Sequence, residues 1–125
     1  MRYKKIIDPI YEAQVHVIYD CTPEEMNKKC KVIFKGLKDE ASKPIGHARC
    51  FEIISDSGYQ CYVLWFRHFK PTADILYIIV HEASHLVDFI FKHLGVGNDT
   101  EARAYYLEYW VIQLWRLCSS HKKGS

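Results

Sequence analysis

The fold class follows most directly from residues 73–118, which read ADILYIIVHEASHLVDFIFKHLGVGNDTEARAYYLEYWVIQLWRLC. Apolar residues recur at helical spacing on both sides of a break that contains Gly95 and Gly97. The pattern predicts one helix from about Asp74 to Leu94 and a second from residues 98–100 to about Cys118. Two helices joined by so short a loop are expected to pack against each other as an antiparallel pair.

The residues before this helical pair predict a strand, a helix and a hairpin. Gln14 to Asp20 alternates and is rich in Val and Ile, which is typical of a strand. Thr22 is the expected N-cap, and Pro23 the first residue, of a helix that runs to about Lys35 and is ended by Gly36. The strands of the hairpin are His47 to Ile54 and Tyr59 to Phe66, and Ser55 to Gly58 form the turn.

This order of elements predicts a small α+β domain over residues 1–118, an antiparallel sheet packed on helices, followed by a disordered tail at 119–125. The 125 residues carry a formal net charge of +2, and no basic stripe is interleaved with aromatics, so we expect no nucleic-acid partner. The apolar stretch at the N-terminus is too short and too soon interrupted to read as a signal peptide, and no apolar run reaches about 18 residues, so we expect no membrane association. Five cysteines, an odd number, indicate reduced thiols and a cytoplasmic location. The oligomeric state is left open.

The segment His81-Glu82-Ala83-Ser84-His85 carries the clearest chemical signal. Residues four apart project from the same face of a helix, so both imidazoles can reach one ion. Zinc binds imidazole nitrogen at about 2.0–2.1 Å, and a catalytic zinc keeps one position for water. Glu82 lies about 100° around the helix from His81, near enough to act on that water. The motif therefore predicts a zinc site with Glu82 as the general base.

An alternative is that both histidines are hydrogen-bonded core residues and that Glu82 is exposed. The rest of this helix is apolar, and burying two histidines and a glutamate there is costly unless they are paired or bind a metal. This cost favours a metal site over the alternative.

The third protein ligand must come from another element. Metzincin spacing would place it at position 91, which is Phe91, and His93 lies about 12 Å along the helix axis from His85. The facing helix offers Glu101, although Asn98 and Glu101 also fit a capping box in which the glutamate only binds a backbone N–H. The acids Asp99 and Glu108 compete with Glu101, and the residues alone leave these alternatives open.

The stretch from about Val80 to Leu107 resembles the His-Glu-x-x-His metallopeptidases of the zincin group, in the gluzincin-like arrangement with a glutamate on the next helix. It is most similar to small phage and bacterial proteins that run His-Glu-x-x-His, a glycine loop, then Glu-x-x-Ala-Tyr. The matching segments here are 81–85, 95–97 and 101–105.

The resemblance implies that His81, His85 and Glu101 hold Zn²⁺ in an active-site helix and a following ligand helix, and that Glu82 is the general base. It also implies an edge strand beside the cleft, for which Tyr59 to Phe66 is the candidate.

Two further side chains have both a functional and a structural interpretation. Tyr105, one turn after Glu101, could donate to an oxyanion or could simply pack. Asp88 could accept the outer N–H of a ligand histidine, or could be a solvated or helix-paired aspartate. His47 and His68, at strand ends, are weaker candidates.

The leading functional hypothesis is a zinc-dependent metallopeptidase acting on a protein or peptide. The alternative is a non-catalytic, metal-stabilised protein-binding module, for example one encoded by a phage or mobile element. A third hypothesis is a DNA-associated protease, which nothing basic in the sequence favours.

Overall fold

A computed structural model describes residues 1–34, 46–54, 60–97 and 99–120. It is α+β, as predicted, and divides into two compact units, Met1–His68 and Phe69–Ser125. The single domain over residues 1–118 stays a prediction. The described elements, in chain order, are β1 Arg2–Ile7, β2 Gln14–Tyr19, α1 Pro23–Ile33, β3 Ala48–Ile54, β4 Gln60–Phe66, α2 Ala73–Leu94 and α3 Thr100–Ser120.

The sheet of the first unit is mixed, with the strand order β1-β2-β4-β3. β1 pairs antiparallel with β2, and β3 with β4, but β2 and β4 run parallel, so the predicted all-antiparallel sheet is wrong. The prediction that Tyr59 to Phe66 forms an edge strand is also wrong, because β4 lies inside the sheet. Its residues from Cys61 to Phe66 are all buried, and a strand apolar on both faces is favoured at the centre of a sheet.

Strand β1 was not expected from the sequence. Its residues are mostly exposed and do not alternate between apolar and polar, yet it pairs with β2 from Arg2 opposite Tyr19 to Ile7 opposite Gln14. The loop that follows is closed by Asp8, which is fully buried. The Asp8 carboxylate accepts from the backbone N–H groups of Ile10, Tyr11 and Ala13 at 2.9, 2.6 and 2.9 Å.

Helix α1 packs on one face of this sheet. Thr22 is its N-cap, as predicted, and forms a capping box with Glu25. The inner side of α1 packs with the buried sheet residues Ile18, Val63 and Trp65, through Met26, Cys30, Ile33 and the C-cap Phe34. The predicted helix end at Gly36 and turn at residues 55–58 lie outside the described residues.

His16 in β2 is a buried polar residue, 4% exposed, with both ring nitrogens occupied. Nδ1 lies 2.7 Å from the Tyr3 hydroxyl and Nε2 lies 3.1 Å from Gln14 Oε1. Because an amide oxygen only accepts, Nε2 carries the proton and the Tyr3 O–H donates to Nδ1. Burial and the nearby Lys5 lower the pKa of His16 to about 4.

In the second unit, α2 begins after the N-cap Thr72 and ends at Gly95, whose φ of 70° is left-handed. The helices α2 and α3 pack against each other, and the rings of Phe91 and Tyr106 stack with centroids 5.6 Å apart. α3 continues to Ser120, beyond the predicted end at Cys118. None of the helices in the described part of the chain is long and apolar enough to cross a bilayer.

His16 makes the first unit sensitive to acid. An unfolded histidine binds a proton with a pKa near 6.5, whereas in the folded chain the pKa is about 4. Between these pH values the unfolded state binds more protons than the folded state. The contribution of His16 to the free energy of unfolding is therefore fully present above pH 6.5 and is lost as the pH falls toward 4. Urea unfolding at several pH values should show this loss in the wild type. The loss should be smaller in His16→Asn, which has no ring to protonate. Parallel pH profiles for the two proteins would contradict this assignment.

Candidate metal centre

His81 and His85 meet on the exposed face of α2. Their Nε2 atoms are 3.2 Å apart, and their rings lie edge to face with centroids 4.7 Å apart and an interplanar angle of 83°. Both side chains are exposed to solvent. The one-turn spacing therefore brings the two imidazoles together, as the motif predicts.

The separation of the two nitrogens fits a shared zinc ion. Two nitrogens bound to zinc at about 2.0–2.1 Å with a tetrahedral angle of about 109° are about 3.3–3.4 Å apart. The Nε2 atoms are 3.2 Å apart, and a small rotation of either ring would bring them to this separation. The same distance suits an N–H···N hydrogen bond between neutral rings, which would hold the pair in place before a metal binds.

Glu82 is placed differently from the two histidines. It is 7% exposed and belongs to the buried stripe of α2, three residues after Ile79 and four before Leu86. The alternative of two core histidines and an exposed glutamate is therefore wrong on both counts. The physical reason is the step of about 100° per residue, which turns Glu82 from the histidine face toward the apolar one.

Arg103 on α3 was missed in the sequence, and it joins the two helices beside this pair. Its Nε donates to Asp88 Oδ1 at 3.0 Å, and its Nη2 donates to Ser84 Oγ at 2.8 Å. Asp88 is therefore ion-paired with the neighbouring helix, which was one of its two interpretations. The only signal in the sequence was a pair of polar residues, Ser84 and Asp88, four apart on the histidine face.

The first turn of α3 is capped by Asp99. Its Oδ1 accepts from the backbone N–H groups of Glu101 and Ala102 at 3.1 and 3.0 Å, and its carbonyl accepts from Arg103 N. Asp99, the competing candidate for the third ligand, is thus engaged as the helix cap. Asn98, the other half of the predicted capping box, lies outside the described residues.

Glu101 is exposed and does not join the histidine pair. Positions 101 and 103 are about 200° apart around a helix. Because Arg103 faces α2, Glu101 projects from another side of α3. Among residues 1–34, 46–54, 60–97 and 99–120, no group of three His, Cys, Asp or Glu side chains is placed to hold a metal ion. Glu101 as third ligand stays a prediction, and so does a catalytic role for Tyr105, whose side chain is 69% exposed.

The cysteines do not offer a competing metal site in the described part of the chain. All five are free thiols, and all except Cys50 are buried. Burial raises the pKa of Cys30 to about 12 and that of Cys61 to about 11. Since the thiolate is the form that binds metals, these thiols are poor ligands near neutral pH.

Comparison of the chain with protein-family models, with curated proteins and with solved structures finds no significant match. The resemblance to zincins therefore stays an interpretation of the motif residues. Function must be argued from the geometry of the site.

Proposed function

We propose that this chain is a zinc-dependent metallopeptidase that hydrolyses a peptide bond in a cytoplasmic protein or peptide. His81 and His85 would hold the zinc, and Glu82 would act as the general base. The observation that supports this best is the distance of 3.2 Å between the two Nε2 atoms. Glu82, which lies between the two histidines in the sequence, is only 7% exposed. Two neutral imidazoles with converging nitrogens are the donor set that zinc prefers.

The chain's own residues divide the work between binding and proton transfer. A zinc ion, when bound, would supply a Lewis acid for the carbonyl and lower the pKa of a water molecule. Glu82 accepts the proton of the attacking water and returns it to the leaving nitrogen. Its low exposure restricts the carboxylate to few orientations and keeps bulk water from competing for it. His81 and His85 would bind the zinc through unprotonated ring nitrogens, so zinc binding competes with protons for these atoms.

The third ligand in this proposal is Glu101, and Tyr105, one turn later, is the proposed donor to the oxyanion. Both roles rest on the resemblance to zincins. Binding of Glu101 to the same ion would take a rearrangement of the first turn of α3, which Asp99 now caps.

Glu82→Gln separates metal binding from catalysis. The variant should keep the zinc content of the wild type, because Glu82 is not a ligand, and should lose activity by about 10²–10⁴-fold, the usual contribution of a general base. Fluorescein-labelled casein can serve as the substrate, with zinc measured by elemental analysis. Glu24→Gln is the matched control, since it makes the same charge change at an exposed glutamate of α1 and should be fully active. A fully active Glu82→Gln would contradict the proposed mechanism.

The second candidate function, a metal-stabilised protein-binding module, is favoured by what surrounds the histidine pair. Tyr77 is 75% exposed and Val80 42% exposed, and both lie within one turn of His81. No third ligand joins the pair among the described residues. A protein partner could supply the missing ligands and cover the two apolar side chains.

The stoichiometry of zinc distinguishes the two functions. A peptidase should bind one zinc per monomer, and Glu101→Ala should weaken that binding by at least about tenfold, because a ligand contributes more than the 10–100-fold of an outer-shell partner. Glu24→Ala, at an exposed glutamate that is not a candidate ligand, is the control and should bind zinc normally. One zinc per two chains, with dimers that appear only when zinc is added, would favour the binding module. Light scattering during the zinc titration measures dimer formation, and the zinc-to-protein ratio at which the signal stops changing gives the stoichiometry.

A further inference from the structure

The guanidinium group of Arg103 lies on the face of α2 that carries the histidine pair. It contacts Ser84, which immediately precedes His85, and Asp88, which follows His85 by three residues. Along the helix axis, Ser84 lies about 1.5 Å before His85 and Asp88 lies about 4.5 Å after it, so the two contacts of Arg103 are on either side of His85. Arg103 is thus a fixed positive charge within one helical turn of a proposed zinc ligand.

The two contacts leave part of the guanidinium available. Arginine has five N–H donors, and Ser84 and Asp88 engage one on Nη2 and the one on Nε. Within the described residues, both Nη1 donors and the second Nη2 donor are left over. The second Nη2 donor and one Nη1 donor form the terminal edge of the group, which can bind a carboxylate with two parallel hydrogen bonds. The side chain is 37% exposed, so a ligand can reach this edge.

Ser84 and Asp88 also orient the guanidinium before any ligand arrives. They hold its Nε–Nη2 side against α2, so little conformational entropy is lost when the opposite edge binds. Asp88 uses one oxygen for this ion pair and its side chain is 61% exposed. Its negative charge is therefore partly screened by solvent and does not cancel the attraction of Arg103 for a second carboxylate.

We propose that Arg103 is a specificity-determining residue that binds a carboxylate of the substrate, either the C-terminal carboxylate or an acidic side chain near the cleaved bond. This inference rests on the proposed peptidase function. An extended residue spans about 3.3–3.6 Å, so a carboxylate held beside His85 places a peptide carbonyl one or two residues away at the histidine pair. Arg103 therefore selects substrates that carry a negative charge at that short distance from the cleaved bond.

A purely structural Arg103, one that only ties α3 to α2, makes a different prediction. If tying α3 to α2 were its whole role, neither Arg103→Gln nor Asp88→Asn would change the relative affinity for acid and amide peptides, since neither would remove a group that contacts the peptide. If Arg103 binds a carboxylate, only Arg103→Gln removes the binding group. Asp88→Asn keeps it and frees one more donor.

Peptide binding tests this without relying on turnover. The zinc-loaded Glu82→Gln protein is titrated, by NMR, with an N-acetylated tetra-alanine peptide that has a free C-terminus. The same peptide with a C-terminal amide, and an amidated peptide that ends in glutamate, complete the set. The free-acid or glutamate peptide should bind at least about tenfold more tightly than the plain amide, and the stronger of the two identifies the source of the carboxylate.

The additional substitutions give the controls. Adding Arg103→Gln should abolish the preference, and adding Asp88→Asn should retain it. Arg103→Lys keeps the charge but cannot form two parallel hydrogen bonds, so it should reduce the carboxylate preference. It replaces Arg103→Gln as the test variant if Arg103→Gln does not fold. Equal affinity for acid and amide peptides, or a preference that survives Arg103→Gln, would overturn the proposal.

The same titrations on zinc-free wild type keep this test separate from the proposed function. If the protein binds no zinc but still prefers the carboxylate through Arg103, the peptidase proposal fails and the Arg103 site stands. If zinc binds and Glu82→Gln abolishes turnover, but the protein shows no preference for a carboxylate, the peptidase proposal stands and the Arg103 site fails.

Discussion

The site depends on the rotation of about 100° between successive residues of α2. Four residues return the chain to nearly the same direction, so His81 and His85 bring their Nε2 atoms to 3.2 Å from each other in solvent. One residue does not, so Glu82 turns into the buried stripe and is 7% exposed. An exposed pair of imidazoles and a largely buried glutamate thus arise from neighbouring positions of a single helix, without help from any loop.

The same rotation on α3 separates two residues that the sequence places side by side. Arg103 reaches the histidine face of α2, whereas Glu101, about 200° around the helix, projects elsewhere. Asp99 reinforces this arrangement because it caps the first turn through the backbone N–H groups of Glu101 and Ala102. A basic group therefore lies on the histidine face, where an acid was expected, and for this reason the proposed substrate carries a negative charge.

Local signals in the sequence predicted most of the elements. Thr22 and Pro23 start α1 as expected, and the histidine spacing brings two nitrogens together. Pairing between distant residues was not accessible in the same way. Nothing local in residues 2–7 indicates that they pair with β2, and the apolar character of β4 could not show which strands flank it. The contact of Arg103 with Ser84 and Asp88 joins residues 15 and 19 positions apart, and it depends on how two helices are rotated relative to each other.

X-ray absorption at the zinc edge would test directly whether His81 and His85 bind the same zinc ion. In zinc-loaded protein the account predicts two imidazole nitrogens at about 2.0–2.1 Å from one zinc ion, with the remaining ligands oxygen. His85→Ala should remove one of the two imidazole contributions. A spectrum with one imidazole or none, unchanged by that substitution, would show that the two rings do not share a cation and would contradict the account.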